Sequence, residues 1–371
     1  MTATPPGATM CAAMRAANLH APGDLRAEMV PRPRPQADEA LIRIEASGIC
    51  GSDVDRVLTK GTYHFPTIPG HEFAGAVVEC PADKTRIGQR VCVFPLIACR
   101  RCPMCEIGEY ASCADYDYYG SRRDGGFAQF QAVKLDNLVP VGDDIAVEDA
   151  AMVEPCAVAV HALAAAPLRL GDRLAVWGAG PIGLMAAQLG AAQGARVAIF
   201  DVDDRKLELA RRAGFGDTFN PRRGDPAAQL RATGDARGAD VCLEASGAAA
   251  ALAGALAAVR PFGHIILMGN PVGDMTLPRD AYWTILRRQV TCVGVWNSAR
   301  NHFTDDWRTA IEAIRAGQVT PSRFITHRFD LTECAQAFAV AADPAQLSLK
   351  IMFTPSEEPN EGRSLDSTGN A

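Results

Sequence analysis

Apolar and polar positions alternate over short runs early in the chain, at Ala40–Glu45, Glu72–Val78, Arg90–Phe94 and Gly126–Val133, each bounded by Pro or Gly. A period of two predicts strands, and their density predicts a mainly β domain. The texture changes near Pro155. Ala157–Ala166 is Ala-rich and predicts a helix. Strands and helices then alternate. The strands are Arg173–Trp177, Arg196–Asp201, Val241–Glu244, His264–Gly269 and Val290–Val295; the helices are Ile182–Gln193, Arg205–Ala213 and Ala248–Val259. Such alternation predicts a parallel sheet with helices on both faces. An amphipathic helix at Asp305–Ala316, a helix at Leu331–Ala341 and a strand at Ser348–Phe353 close the pattern and return to the first domain.

At 371 residues the chain holds two domains with real cores, and 48% hydrophobic residues is ordinary globular composition. The net charge of −6 argues against nucleic acid as the main partner. No run of about 18 apolar residues predicts a membrane span. The start lacks the basic and apolar regions of a secretory signal. Four of the twelve cysteines sit at metal-binding spacing, which favours a reducing, cytoplasmic setting over a disulfide framework. Cys11, Cys80, Cys92, Cys156, Cys242, Cys292 and Cys334 read as small buried hydrophobes. His20, His64, His161, His264, His302 and His327 stand in no constellation and read as structural or surface groups, with the His64 loop, 61–69, nearest to a pocket.

Cys99, Cys102, Cys105 and Cys113 fall within fifteen residues. Four thiolates with no open position describe a closed, structural zinc site. A second set is catalytic in kind: Cys50 in Gly-Ile-Cys-Gly-Ser-Asp, His71 in Pro-Gly-His-Glu-Phe, and Glu154 in Met-Val-Glu-Pro-Cys. One thiolate, one imidazole and one carboxylate leave a coordination position open. Glu72 is a second carboxylate there, either exchanging on the metal or supporting the ligands from outside. Ser52, two residues after Cys50, is placed to carry a proton away from the reacting hydroxyl.

Gly178-Ala179-Gly180-Pro181-Ile182-Gly183 follows an apolar strand and opens a helix, the context that makes this glycine pattern a dinucleotide fingerprint. Asp201 ends the next strand, where a carboxylate accepts from ribose hydroxyls and repels a 2′-phosphate, favouring NAD over NADP. Arg205 lies at the same edge, on the next helix.

With these motifs in the family's order, the chain resembles the zinc-dependent medium-chain dehydrogenase/reductases over residues 14–353. The resemblance implies a GroES-like β-rich catalytic domain interrupted by a Rossmann domain, with the active site in the cleft between them. Its boundaries are an extension at 1–13, catalytic residues 14–160, the NAD-binding domain at 161–297, a return at 298–354 and a tail at 355–371. It also implies NAD, two zinc ions per subunit, and a homodimer or homotetramer. Phe94-Pro95-Leu96-Ile97, Tyr116-Asp117-Tyr118, Gly120–Gly126 and Gly294–Asn297 are similar to the galactitol-1-phosphate 5-dehydrogenase group. That likeness implies oxidation of a sugar alcohol or sugar-alcohol phosphate to the ketose. Arg122 and Arg123 are then the candidate phosphate ligands, with Lys350 and Arg300 behind them. A free hexitol or tetritol is the alternative substrate. Threonine is a poorer one, because Asp55 stands where that group has His. A catalytically silent zinc- and NAD-binding protein and a nucleic-acid-binding zinc module are the non-enzyme readings; the intact Cys50, His71 and Glu154 set opposes the first and the acidic chain the second.

Overall fold

The computed structural model describes residues 13–233 and 237–356. The expected extension, apart from Ala13, and the expected tail beyond Ser356 lie outside the described residues, as does Cys11. Ala13 opens a strand, Ala13–Ala21, paired antiparallel with Asp24–Pro31. At the other end Ser356 is tied down through its backbone N–H and hydroxyl to Asp330.

The first domain is built on a seven-stranded sheet in the order Ile325–Phe329, Lys350–Phe353, Glu39–Ile49, Glu72–Glu79, Arg90–Val93 and Leu138–Pro140, with Phe130–Lys134 also pairing Glu39–Ile49. The long central strand Glu39–Ile49 is buried along nearly its whole length. It therefore fixes both neighbours: Gly48 lies opposite Glu72 on one side and Met352 on the other. Two distant parts of the chain meet at that point.

The second domain is a six-stranded parallel sheet. Its order is Thr218–Phe219, Arg196–Phe200, Arg173–Trp177, Ala239–Glu244, Val259–Leu267 and Thr291–Gly294. Numbered within the domain, this is 3-2-1-4-5-6, so the order reverses between Arg173–Trp177 and Ala239–Glu244. Arg173–Trp177 and Ala239–Glu244 are buried at every position, as a strand covered by helices on both faces requires.

The helix Val153–Ala164 joins the domains. The sequence pattern starts it at Ala157, four residues late. Pro155 sits in the first turn, where the N–H it lacks has no intrahelical partner anyway. Its buried face packs with Leu184, Met185 and Ala187 of the helix Pro181–Ala192 in one continuous core, which also takes in Phe94 and Trp307. Cys80, Cys92, Cys156, Cys242 and Cys334 are buried as expected. Cys292 is not: it is exposed, because Thr291–Gly294 is the open edge of the parallel sheet.

Candidate active site and nucleotide site

Strand Glu39–Ile49 ends at Cys50, which caps a short helix, Gly51–Asp55. The Asp53 carboxylate accepts from the Cys50 N–H at 3.0 Å, closing the turn that presents the sulfur. His71 stands immediately before the next strand, Glu72–Glu79. Gly70 precedes it at φ +94°, and a Cβ there would strike the Phe127 ring. The Cys50 sulfur, a His71 ring nitrogen and a Glu72 carboxylate oxygen all lie within 4.8 Å of one another. His71 and Glu72 are buried. His71 Nδ1 faces Asp53 Oδ1 at 3.2 Å, which directs Nε2 outward as a ligand.

Burial works against a charged imidazole here, yet Asp53, aided by its neighbours, holds His71 well above the usual histidine range. For Asp53 itself burial opposes ionisation, and His71 and Arg56 overcome it to hold the carboxyl below its usual range. A thiolate, a carboxylate and an Asp-backed imidazole packed this closely form a donor set that a dication satisfies.

The two expected carboxylates take different places. Glu72 is the one within ligand distance of Cys50 and His71. It also receives both of its oxygens' hydrogen bonds from Lys350 Nζ, at 2.8 and 2.6 Å, while Lys350 donates again to Ile49 O at 3.0 Å. Glu154 stays outside that three-residue group. Burial, with Glu72 and Asp53 nearby, pushes its carboxyl up to about 7 against the pull of His71 and Lys350. Glu154 is thus a buried carboxyl facing the cluster from the joining helix.

Two contributors, Arg56 and Tyr118, were not legible as site residues from spacing, and a third, Lys350, stands in a different place from the one expected. Arg56 Nη1 donates to Ser52 Oγ at 2.9 Å and to Asp53 Oδ1 at 3.2 Å, clamping the two residues that flank Cys50 functionally. Tyr118 lies with its ring centroid 5.7 Å from that of His71, and burial keeps its phenol protonated well beyond the usual range. Lys350 was a phosphate candidate; its pairing with Glu72 at 3% exposure removes it from that role. Arg300 is likewise committed, donating to Asp136 O. Arg123 is bound to Asp117 at 2.6 Å. Asp55 is exposed and paired with Lys60 at 2.7 Å, facing away from the cluster's chemistry.

The four-cysteine lobe is compact. Sulfur separations are 3.9 Å for Cys99–Cys105, 3.5 Å for Cys102–Cys105 and 3.9 Å for Cys102–Cys113, and no disulfide forms. Four sulfurs at about 2.3 Å from one tetrahedral ion would stand roughly 3.8 Å apart. The N–H groups of Ala114 and Cys105 draw the Cys102 thiol down to about 6. Burial and the adjacent sulfurs push Cys105 up to about 12. A bound dication would favour the thiolate form at each of the four.

At the nucleotide fingerprint, Gly178 has φ +111° and a Cβ on Gly183 would lie 2.1 Å from Gly178 O. A Cβ on Gly180 would meet nothing within 4 Å, which leaves the space a pyrophosphate needs over the uncapped N-terminus of Pro181–Ala192. Ile182 packs inward from the first turn. Asp201 braces this loop: Oδ2 accepts from Ala179 N and Oδ1 from Asp203 N, both at 2.8 Å. The second loop is braced by buried Glu244, which accepts from the N–H groups of Ser246 and Gly247. Arg205, expected at the cofactor, is instead spent on Asp203 and the carbonyls of Pro344 and Ala345, across the chain's later helix.

Comparison with known proteins agrees with this geometry. Residues 36–143 match the alcohol dehydrogenase GroES-like domain and residues 181–316 the zinc-binding dehydrogenase domain. Galactitol 1-phosphate 5-dehydrogenase of Escherichia coli K12 is 33% identical over 304 residues, covering 81% of this chain and 88% of that protein. Sorbitol dehydrogenase of Bacillus subtilis is 32% identical over 350 residues, covering 92% and 97%. The crystal structure of galactitol-1-phosphate dehydrogenase from Escherichia coli superposes with a TM-score of 0.86 at 31% identity, covering 92% of this chain and all of that one. The chain belongs to the zinc-type medium-chain alcohol and polyol dehydrogenases, and is an oxidoreductase of that family.

Proposed function

We propose that this enzyme oxidises a secondary alcohol of a sugar alcohol, or of a sugar-alcohol phosphate of the galactitol 1-phosphate kind, to the ketose. NAD is the hydride acceptor, and zinc occupies the Cys50 site and the four-cysteine site. The reading is carried by the cluster of half-buried Cys50 with buried His71 and Glu72, Cys50 lying two residues before Ser52 in the same turn. When bound, zinc supplies Lewis acidity and NAD accepts hydride. Cys50 and His71 would hold the metal, with Glu72 or Glu154 as the carboxylate.

The rest is work for the chain's own groups. Asp53 fixes the His71 tautomer. Arg56 occupies one lone pair of Ser52 Oγ, so the serine keeps its O–H and one lone pair for the substrate hydroxyl. Ser52 can take up the substrate's proton at Oγ while releasing its own. Arg56 cannot receive that proton, since a guanidinium does not act as an acceptor. The proton leaves toward the cofactor side or solvent.

Asp201 supports NAD over NADP by placing negative charge where a 2′-phosphate would sit. A second reading, a free hexitol or tetritol as substrate, is favoured by the likeness to sorbitol dehydrogenase over nearly the whole chain. NADH formation with a panel of alditols, each with and without a terminal phosphate, tests both. Turnover of phosphorylated substrates alone supports the first reading, turnover of free alditols the second, and no turnover on any member overturns the polyol reading. A roughly hundredfold preference for NADP+ would contradict the role given to Asp201.

The subunit is read as one of a homo-oligomer. Edge strand Thr291–Gly294 is open, and the neighbouring helix Arg279–Arg288 has no buried residue while exposing Tyr282, Trp283 and Leu286. An open edge beside exposed aromatics is the surface a second copy would cover.

A further inference from the structure

Arg205 bridges the two domains. It stands in the first turn of the helix Asp204–Arg212, in the parallel-sheet domain. Asp203 caps that helix, accepting from Arg205 N at 2.9 Å, and the same carboxylate takes Arg205 Nε at 3.0 Å and Nη2 at 2.7 Å. One edge of the guanidinium is thereby fixed, and the group reaches out of its own domain. Nη1 donates to Ala345 O at 2.6 Å and Nη2 to Pro344 O at 3.0 Å. Those carbonyls belong to the segment between the helix Cys334–Ala342 and the strand Lys350–Phe353, in the catalytic domain. The segment is turned to present them: Asp343 Oδ1 accepts from Ala345 N at 2.8 Å and Asp343 O from Gln346 N at 3.1 Å.

Each end of the bridge is anchored at a site. On the nucleotide side, Asp203 N donates to Asp201 Oδ1, and Asp201 Oδ2 accepts from Ala179 N of the glycine fingerprint, both at 2.8 Å. On the catalytic side, Leu349 N donates to Thr326 Oγ1 at 3.1 Å, and the segment then runs into Lys350, the partner of Glu72. The helix Val153–Ala164 joins the domains elsewhere through a continuous apolar core. At the edge marked by Asp201 the join is polar and open to solvent, since Arg205 and Asp203 are both partly exposed.

A dinucleotide has to use both domains. Its adenosine half belongs to the fingerprint and Asp201, while its nicotinamide has to reach the carbinol at the Cys50 and His71 cluster, which the other domain carries. The whole dinucleotide therefore binds best when the two domains keep one spacing. ADP-ribose, which lacks the nicotinamide, needs the parallel-sheet domain alone. We propose that Arg205 is a positioning residue for the cofactor, acting through the Pro344 and Ala345 carbonyls to hold the catalytic domain at that spacing. This rests on the dinucleotide reading and adds to it a contact outside the fingerprint. Without the bridge a share of the molecules stands open, and the apparent Kd of a ligand that needs the closed form rises by the inverse of the closed fraction. A ligand confined to one domain is indifferent to that share.

The test titrates the zinc-loaded protein calorimetrically with NADH and with ADP-ribose, as wild type, Arg205→Gln and Arg205→Lys. Lysine keeps a positive charge beside Asp203 but lacks the fork that reaches two carbonyls. NADH should bind roughly 3- to 10-fold more weakly to both variants, the range of one or two partly exposed hydrogen bonds, while ADP-ribose binds as before. Amide hydrogen exchange over residues 345–349 should quicken in both variants, with the zinc content unchanged. Equal weakening of the two ligands would place Arg205 on the nucleotide itself and overturn the proposal. Unchanged NADH affinity in Arg205→Gln, or full rescue by Arg205→Lys, overturns it too, because the two-carbonyl grip would then do nothing. A wild type that takes NADPH alone fails the NAD reading separately, and NADPH with 2′-phospho-ADP-ribose then gives the same comparison. A wild type that binds neither dinucleotide overturns the dinucleotide reading and this proposal with it.

Discussion

In the proposed mechanism Ser52 is the smallest group given a task of its own. Its Oγ is clamped by Arg56, and it flanks Cys50 without belonging to the ligand set. Ser52→Ala should lower kcat by about 10²-fold or more, the usual contribution of a positioned proton carrier, with zinc content unchanged by metal analysis. Unaltered turnover would remove the serine from the mechanism. Arg56→Gln should lower kcat less, because Ser52 remains but loses its fixed orientation. Cys50, His71 and Ser52 were legible in the sequence because their motifs are local. Arg56, Tyr118 and Lys350 were not, because each is marked only by a tertiary neighbour. Lys350 meets Glu72 across 278 positions, and no spacing rule connects them. The sequence reading places Glu154 on the metal and Glu72 behind it, whereas Glu72 is the one within ligand distance of Cys50 and His71: chain position does not say where a carboxylate points, and only the register of the sheet does.

Among the elements, the four-cysteine lobe depends most on its ion. It has one short helix, Pro103–Glu106, and one turn, Tyr110–Ser112, with Cys105, Tyr110 and Cys113 as its buried residues. Cys105→Ser should remove one of two zinc equivalents, measured by metal analysis, and expose the lobe to proteolysis while the parallel-sheet domain stays folded. Loss of both equivalents, or of neither, would refute two independent sites. Strands of the parallel sheet were legible because burial on both faces makes them continuous apolar runs, and Arg173–Trp177 falls where the pattern puts it. The hairpin Ala13–Pro31 was missed: its alanines and interspersed charges carry little β preference, and its pairing supplies what its composition lacks. Helix Arg279–Arg288 was missed because its inward stripe is thin: Ala281 and Ile285 pack on the core while Tyr282, Trp283 and Leu286 face outward and blur the pattern.

For the whole molecule, the open edge at Thr291–Gly294 is the main surface left unsatisfied by the single chain. Val293 lies in this strand, half-buried, in an otherwise exposed row. Val295 N donates inward to Leu267 O, so the alternate N–H of Cys292 faces the open side; Cys292→Pro removes that edge N–H and should shift the mass seen by light scattering toward the monomer, with the zinc content retained. A wild-type monomer at micromolar concentration would refute the homo-oligomer reading. Among the described residues no helix is long and apolar enough to cross a membrane. The two-domain order was readable from the change of period near Pro155. The junction itself was not, since Val153–Ala164 serves both domains through one continuous core.

The central sheet also sets a timetable for biosynthesis. Strand Lys350–Phe353 is inserted between Ile325–Phe329 and Glu39–Ile49, and it delivers the partner of Glu72. While the chain is still emerging from the ribosome, Glu72 has no counter-charge and Glu39–Ile49 lacks a neighbour on one side. The nucleotide-binding domain, whose strands are contiguous in sequence, can fold during translation. The catalytic centre cannot close until Lys350–Phe353 has emerged, so a message truncated before codon 350 yields a product with its dinucleotide fold and no completed active site.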